Sequence, residues 1–410
     1  MSPARSPTAD LACAPRATPV LSPALTVLFA AAVAVIVTNV FAPQTLVGLI
    51  AADLGLGEAA SGLVAMATLI GYAGGLFLLV PLADLVENRR LVLRMLAAAV
   101  ILAFLAGLAP GAGPLIAALV LVGAACSMIQ VLVPLAAAMA PPERRGQVVG
   151  DVMSGLMLGI LLARPVASLV ADTLGWRAFH GLSGLAMALL WPVLALRLPR
   201  RQPVGGAGYG ALIASLGKLL AREPVLRRRA LTAALSMAAF SLFWTAIAFR
   251  LTAAPFHLGQ RGIAVFALVG AAGAVVAPLV GRLGDRGLTR PTTIASHMLV
   301  VTGFALAAFA GLSDTAAALP MLGVMGLAAV LLDVGVTGDQ TLGRRAVNML
   351  DEQARGRLNG LFVGLFFLGG AAGAGLAGLA WSLGGWPLIT IVGAGFGVVA
   401  LAVDWLAPRV

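Results

Sequence analysis

Runs of about twenty apolar residues, each closed by proline, glycine or a knot of charge, recur along almost the whole chain. A bilayer core about 30 Å thick is crossed by a helix of roughly 20 residues, so each run has the length of one crossing. Twelve crossings are predicted, over residues 22–46, 59–81, 91–109, 114–139, 147–171, 178–197, 229–252, 262–282, 292–312, 316–338, 358–382 and 386–407. Of the 410 residues 60% are hydrophobic and 10% charged, too few polar groups to cover a soluble surface. The chain reads as an all-α polytopic membrane protein with twelve transmembrane helices.

A net charge of +11 raises the question of nucleic acid, and its distribution answers it. Of the 27 lysines and arginines, all but Arg164, Arg177, Arg250 and Arg261 fall in the tails or in and beside the loops after even-numbered crossings. Basic residues mark the cytoplasmic side of a membrane protein. The charge is topology, no nucleic-acid partner is expected, and both termini are predicted to be cytoplasmic. Cys13 lies in the tail and Cys126 inside the fourth crossing, so no structural disulfide is expected. Residues 1–21 read as a disordered tail, and the apolar run after them is too long for a signal-peptide core.

The stretch 130–176 shows how the chain is organised. Two apolar runs flank the basic turn Pro141-Pro142-Glu143-Arg144-Arg145-Gly146, and the second is broken by one arginine, Arg164. Shifted by 210 residues the pattern returns: Arg145-Gly146 with Gly150 becomes Arg355-Gly356 with Gly360, Gly159 becomes Gly369, and Gly175-Trp176 becomes Gly385-Trp386. A second pair, offset by 201, matches Asp84 to Asp285 and Arg89 to Arg290. An acid at a helix end followed by arginines in a tight loop pairs within the loop and with a neighbouring helix terminus. Asp84, Arg89, Arg90, Asp285, Arg286 and Arg290, with Arg145 and Arg355, are therefore candidate gating residues. The predicted organisation is a six-crossing bundle over 22–197, a linking segment over 198–228 and a second bundle over 229–410. In the link, Leu212, Leu216, Leu219 and Leu220 share one helical face and Lys218 and Arg222 the other, as in an amphipathic helix lying on lipid.

Polar side chains at membrane depth are costly, and an ionisable one marks function by default. The set here is sparse: Asn39, Gln44, Gln130, Arg164, His297 and Asp333. Thr38-Asn39-Val40-Phe41-Ala42-Pro43-Gln44 interrupts the first crossing, its amides either bonding between helices or lining a cavity. Arg164 reads either as the ligand of an anionic or polar substrate group or as the partner of Asp172, two turns away on the same face. Asp333 reads as a protonatable site or as a helix-end cap. Counting residues puts it roughly 14 Å nearer the cytoplasm than Arg164, too far for a direct pair. Around the seventh crossing, Trp244 is assigned to a cavity and Arg250 to the interfacial belt. His297 is expected to be packed or interfacial, His180 interfacial, and Asp53 and Glu58 solvated capping groups. The glycines from Gly364 to Gly378 suit close helix packing.

No Gly-x-x-x-x-Gly-Lys-Ser/Thr loop is present, which argues against nucleotide hydrolysis. No His/Cys/Asp cluster has metal-ligand spacing, so neither metal nor cofactor is expected. Gly181-Leu182-Ser183-Gly184 superficially matches an intramembrane serine-protease loop, but a nucleophile needs a positioned base, and His297 lies in the other half.

The two Leu-x-Asp loops with their arginines, the Arg-Gly-x-x-x-Gly starts of crossings five and eleven and the two six-crossing halves resemble the major facilitator superfamily. Gly71-Tyr72 with Val80-Pro81-Leu82-Ala83-Asp84, Asn39-x-Phe41-x-x-Gln44 and Leu161-Leu162-Ala163-Arg164 are similar to signatures of its bacterial drug/proton antiporters. The chain departs from those antiporters at Leu119, where an arginine is common, and at Arg164-Pro165 in place of Gly-Pro. The resemblance implies a monomeric secondary transporter of the bacterial inner membrane, working by alternating access between two bundles. It implies export of a small, moderately hydrophobic compound in exchange for protons, with Asn39, Gln44, Gln130, Arg164, Trp244 and Asp333 at the cavity and Asp333 as the proton site. An importer or facilitator of a metabolite is the alternative, and a non-transporting membrane sensor a minor one.

Overall fold

The computed structural model describes residues 22–202, 208–312, 318–352 and 354–406; the expected tail at 1–21, with Cys13, lies outside them. Among the described residues the regular structure is helical throughout. The first crossing is made by α1 (Pro23–Phe41) and α2 (Pro43–Leu54), divided at Pro43, which has no N–H to continue the ladder. Next come α3 (Glu58–Leu78), α4 (Asn88–Gly107), and α5 (Ala112–Cys126) continued by α6 (Ile129–Met139). The helices α7 (Arg145–Leu174) and α8 (Trp176–Arg197) complete the first bundle.

After the surface helix α9 (Tyr209–Arg222), the second bundle holds α10 (Pro224–Thr252), α11 (Gln260–Ala267) continued by α12 (Ala271–Asp285), α13 (Thr289–Leu312), α14 (Ala318–Asn348) and α15 (Arg355–Trp405). The 51 residues of α15 are two crossings, because Gly385 breaks it at φ 58°, ψ −150°, a conformation open essentially to glycine alone. Among the described residues ten helices are each long and apolar enough to span a membrane. Dividing α15 at Gly385 and joining α11 to α12 makes the crossings twelve, in two six-helix bundles.

Small residues set the distances within each bundle. On α7, a Cβ at Gly155 or Gly159 would lie 2.4 or 2.5 Å from the carbonyl oxygens of Ala30 and Ala34 on α1. On α15, a Cβ at Gly369 or Gly373 would lie 2.0 Å from the carbonyl oxygens of Ala234 and Ala238 on α10. The two bundles thus use one device at equivalent places, backbone laid against backbone where only glycine fits. On α3, a Cβ at Gly71 would meet the Val120 carbonyl oxygen at 1.9 Å, whereas Gly74 has nothing within 4 Å. Gly71→Val is therefore expected to lower the thermal stability of the purified protein by at least the 1–3 kcal/mol of typical overpacking, ~2 kcal/mol. Gly74→Val should melt like the parent chain; equal melting of the two variants would contradict the packing.

The basic loops close each bundle in the same paired way. Arg89 donates to the Ala195 carbonyl near the end of α8, and Arg290 Nη2 donates to the Trp405 carbonyl at the end of α15, 3.2 Å away. Each loop arginine thereby satisfies an unpaired carbonyl at the C-terminus of its own bundle's last helix, where positive charge is also favoured. The acids differ: Asp285 lies 3.0 Å from Arg345, while Asp84 is exposed. Arg90 pairs with Glu87 at 3.0 Å, and Arg286 is exposed. Arg145 Nε donates to the Ala140 carbonyl at 3.4 Å and Arg355 Nε to the Asn348 carbonyl at 3.1 Å. The helix α9 has the expected amphipathic form, with Leu216 buried and Lys218 and Arg222 exposed.

On the opposite face the bundles meet closely. A Cβ at Gly62 of α3 would lie 2.5 Å from the Ala374 carbonyl oxygen of α15, and one at Gly378 would lie 2.6 Å from the Glu58 carbonyl oxygen. On the same face Arg261 Nε, opening α11, donates to Asp172 Oδ2 of α7 at 2.7 Å. Asp172 is thus the partner of Arg261 and not of Arg164, and its bond joins one bundle to the other.

Candidate functional site

Between the bundles, α2 and α7 from the first meet α10 and α14 from the second. Pro43 restarts the helix so that Gln44 stands one residue into α2, fully buried. Its Oε1 accepts two hydrogen bonds from Arg164, from Nε at 3.1 Å and Nη2 at 2.8 Å. The Arg164 guanidinium lies 4.5 Å from the Trp244 ring centroid, 5.1 Å from Phe240 and 5.6 Å from Phe41. Trp244 Nε1 then donates to Asp333 Oδ1 at 3.0 Å. Arg164, Trp244 and Asp333 are 3%, 1% and 4% exposed, so the centre is shut from both faces.

The arrangement balances charge without a direct ion pair. A guanidinium in an apolar interior is stabilised by ring faces and by an amide acceptor, and the indole N–H satisfies one carboxylate oxygen. The other oxygen, Asp333 Oδ2, faces Gly270, where a Cβ would lie 3.0 Å from it. Gly270 belongs to the break between α11 and α12, so the interruption of that crossing makes room for the carboxylate. Gln44 Nε2 is buried with no hydrogen-bond partner. A bound molecule could reach a cation, an aromatic box, an amide donor and a carboxylate.

The sequence places Asp333 roughly 14 Å from the depth of Arg164; the structure brings both onto one indole ring. The error comes from helix ends. Against the predicted ends at 171 and 338, α7 runs on to Leu174 and α14 to Asn348, so Asp333 stands near the middle of α14 rather than close to its C-terminal end. Neither alternative holds: Arg164 does not pair with Asp172, and Asp333 caps no helix end. Phe41 and Phe240, which complete the aromatic box, carry no polar signal in the sequence.

The remaining residues lie elsewhere. Asn39 accepts a hydrogen bond from Ser183 Oγ at 2.8 Å and approaches Met187 of α8, so of its two readings the interhelical bond is the one observed; the same bond occupies the serine of the protease-like tetrapeptide. Gln130 Nε2 donates to Tyr72 Oη at 3.3 Å, and the Tyr72 ring packs on Phe367 of the other bundle, 4.5 Å between centroids. Arg250 is buried: its Nε and Nη2 donate to the Gly311 carbonyl at 3.0 and 2.6 Å. His180, near the start of α8, is 2% exposed and packs edge-on against Trp176 and Phe179. Asp53 accepts from Trp176 Nε1 at 3.2 Å and pairs with Arg177.

His297 is packed, as expected, but among charges. It lies between Asp339 and Asp404, and one ligand atom of each lies within 4.8 Å of the others. No sequence spacing shows such a cluster, because its members come from α13, α14 and the end of α15.

The family model for the Major Facilitator Superfamily matches residues 27–338. The chain belongs to the major facilitator superfamily. Among its relatives, the transporter YgaY of Escherichia coli (strain K12) is 36% identical over 385 residues, 94% of this chain and 96% of that one. A chloramphenicol resistance protein of Streptomyces lividans is 30% identical over 291 residues, 69% of this chain and 72% of that one. Among solved structures of the superfamily, a single-residue mutant of the nucleoside transporter NupG superposes with a TM-score of 0.73 at 15% identity, covering 93% of this chain and 98% of that one. The Arg164–Trp244–Asp333 group lies where the two bundles meet.

Proposed function

We propose that the chain exports a small, moderately hydrophobic compound across a bacterial inner membrane in exchange for protons, as a monomer with both termini in the cytoplasm. The observation that carries this reading is the buried chain Gln44–Arg164–Trp244–Asp333, in which both bundles contribute to one charged, ring-lined centre. Arg164 and the unpaired Gln44 amide hold the polar or anionic end of the substrate, and Phe41, Phe240 and Trp244 hold its apolar body. Asp333 carries the proton. Ionised Asp333 accepts a hydrogen bond from the polar end of the substrate beside Arg164, and protonation removes that acceptor and releases the substrate, so proton and substrate exclude one another as exchange requires. That difference in affinity between protonation states is what couples two equilibria.

The basic face, which holds the arginine-capped loops, is assigned to the cytoplasm by the positive-inside rule. The relative named for chloramphenicol resistance fits a compound of this class. The second reading, a facilitator, is favoured by Leu119, buried at 1% exposure where the resembling antiporters carry arginine. Export is tested by loading cells with fluorescent amphiphiles of different charge and following their loss. Faster loss with the intact chain than with Asp333→Asn is expected for at least one compound; equal loss at every external pH contradicts proton coupling.

A further inference from the structure

Away from the central site, the second bundle contains a buried charge cluster that the transport reading does not use. His297 of α13 is 0% exposed, and neither imidazole nitrogen makes a hydrogen bond. Yet Nε2 lies 3.3 Å from Asp339 Oδ1 of α14, and Nδ1 lies 3.7 Å from Asp404 Oδ2 near the end of α15. The two carboxylates are supplied differently. Asp404 accepts from Arg229 Nη1 of α10 at 3.2 Å and has Arg228 at 3.8 Å. Asp339, 0% exposed, accepts among the described residues from two hydroxyls, Ser236 Oγ at 2.9 Å and Thr232 Oγ1 at 3.4 Å. Among the described residues His297 is the only basic side chain in ion-pair range of Asp339.

The cluster is one proton short of balance. A neutral imidazole has one N–H and one lone pair. With both nitrogens facing carboxylate oxygens, the neutral ring turns its lone pair toward an anion and leaves Asp339 buried without a counter-charge, which is costly. One added proton removes both problems, giving each nitrogen a donor and each carboxylate a cation. Charged groups on the neighbouring turns are engaged elsewhere: on α12 Asp285 is held by Arg345 at 3.0 Å, and on α13 Arg290 is spent on the Trp405 carbonyl. A divalent metal fits less well, because the Arg229 guanidinium already lies against Asp404 and would repel it.

We infer that His297, Asp339 and Asp404 form a second proton-binding site, in which a proton on His297 supplies the charge Asp339 lacks and exchanges with the solution at the basic face. The route is short. The Arg228 side chain is 25% exposed and touches Asp404, and the neighbouring Trp405 is 66% exposed. The site is held by α10, α13, α14 and α15 of one bundle, whereas Asp333 sits between the bundles. It stands whether or not Asp333 couples transport to protons.

The test reads protonation directly and needs no transported compound. The chain has 3 histidines, so nitrogen NMR of the full-length protein, labelled at histidine and held in lipid nanodiscs, resolves His297 by its loss in His297→Gln. Between about pH 5 and about pH 9, His297 is expected to pass reversibly from doubly to singly protonated. In Asp339→Asn the doubly protonated form is expected to vanish from the neutral-pH spectrum, and the parent spectrum alone remains decisive if that variant folds poorly. A single protonation state of the parent across the whole range, neutral or charged, overturns the inference. So does a His297 signal that a chelator shifts, which would make the cluster a metal site.

Discussion

Arg164→Ala is expected to remove substrate binding while leaving a folded protein. Arg164 is the only cation in the central group, and hydrogen bonds to charged groups are worth about 1.5–3 kcal/mol. At about 1.4 kcal/mol per factor of ten, affinity for a transported compound should fall roughly tenfold to a hundredfold. The variant also leaves Asp333 without its nearby counter-charge, so whatever binding survives should depend more steeply on pH. Arg164→Lys should not restore it. The guanidinium lies over Trp244 at 4.5 Å and donates twice to Gln44, and a lysine ammonium reproduces neither the planar stacking nor the fork. Binding is measured by tryptophan fluorescence or calorimetry on purified protein, with thermal melting to verify folding. Parent-like affinity in Arg164→Ala would remove the arginine from the site.

Gly378→Val is expected to be the most damaging change outside the centre. The added Cβ would lie 2.6 Å from the Glu58 carbonyl oxygen and 2.7 Å from the Gly62 amide nitrogen, both on the other bundle. Backbone cannot yield there as a flexible side chain does, so the bundles cannot close on the face where Arg261 reaches Asp172. Overpacking of about 1–3 kcal/mol shifts the balance between conformations roughly tenfold to a hundredfold. Transport should fall accordingly, and a cysteine placed beside Gln260 should react faster with a membrane-impermeant thiol reagent. Gly360→Val, on the same helix but with nothing within 4 Å of its Cβ, is the matched control. Unchanged cysteine labelling in Gly378→Val would show that this contact does not close the gate.

Much of the fold is legible in the sequence because lipid imposes a coarse rule: a helix must be about twenty residues and apolar. The twelve crossings, the amphipathic α9 and the duplicated loops follow from that rule and from the 210-residue repeat. The site is legible only in part. Arg164, Gln44, Trp244 and Asp333 stand out as polar or amphipathic residues at membrane depth, and the structure joins all four. Their proximity is hidden in the sequence because a misplaced helix end, as at Asn348 of α14, becomes many ångströms of depth. Asn39 and Arg250 show the other limit: periodicity cannot say whether a buried polar side chain serves a ligand or the backbone of a neighbouring helix. The His297 cluster was invisible for a related reason, since three residues far apart in the chain meet only once α13, α14 and α15 are packed.

The most direct measurement of the central claim uses everted membrane vesicles acidified by respiration and carrying a pH-sensitive dye. They are challenged in turn with lipophilic cations, anions and neutral amphiphiles, with Asp333→Asn vesicles as the control. Proton exchange at Asp333 predicts that at least one compound collapses the gradient with the intact chain and leaves it unchanged in the control. A compound transported equally well by both proteins, with no movement of protons, would contradict it.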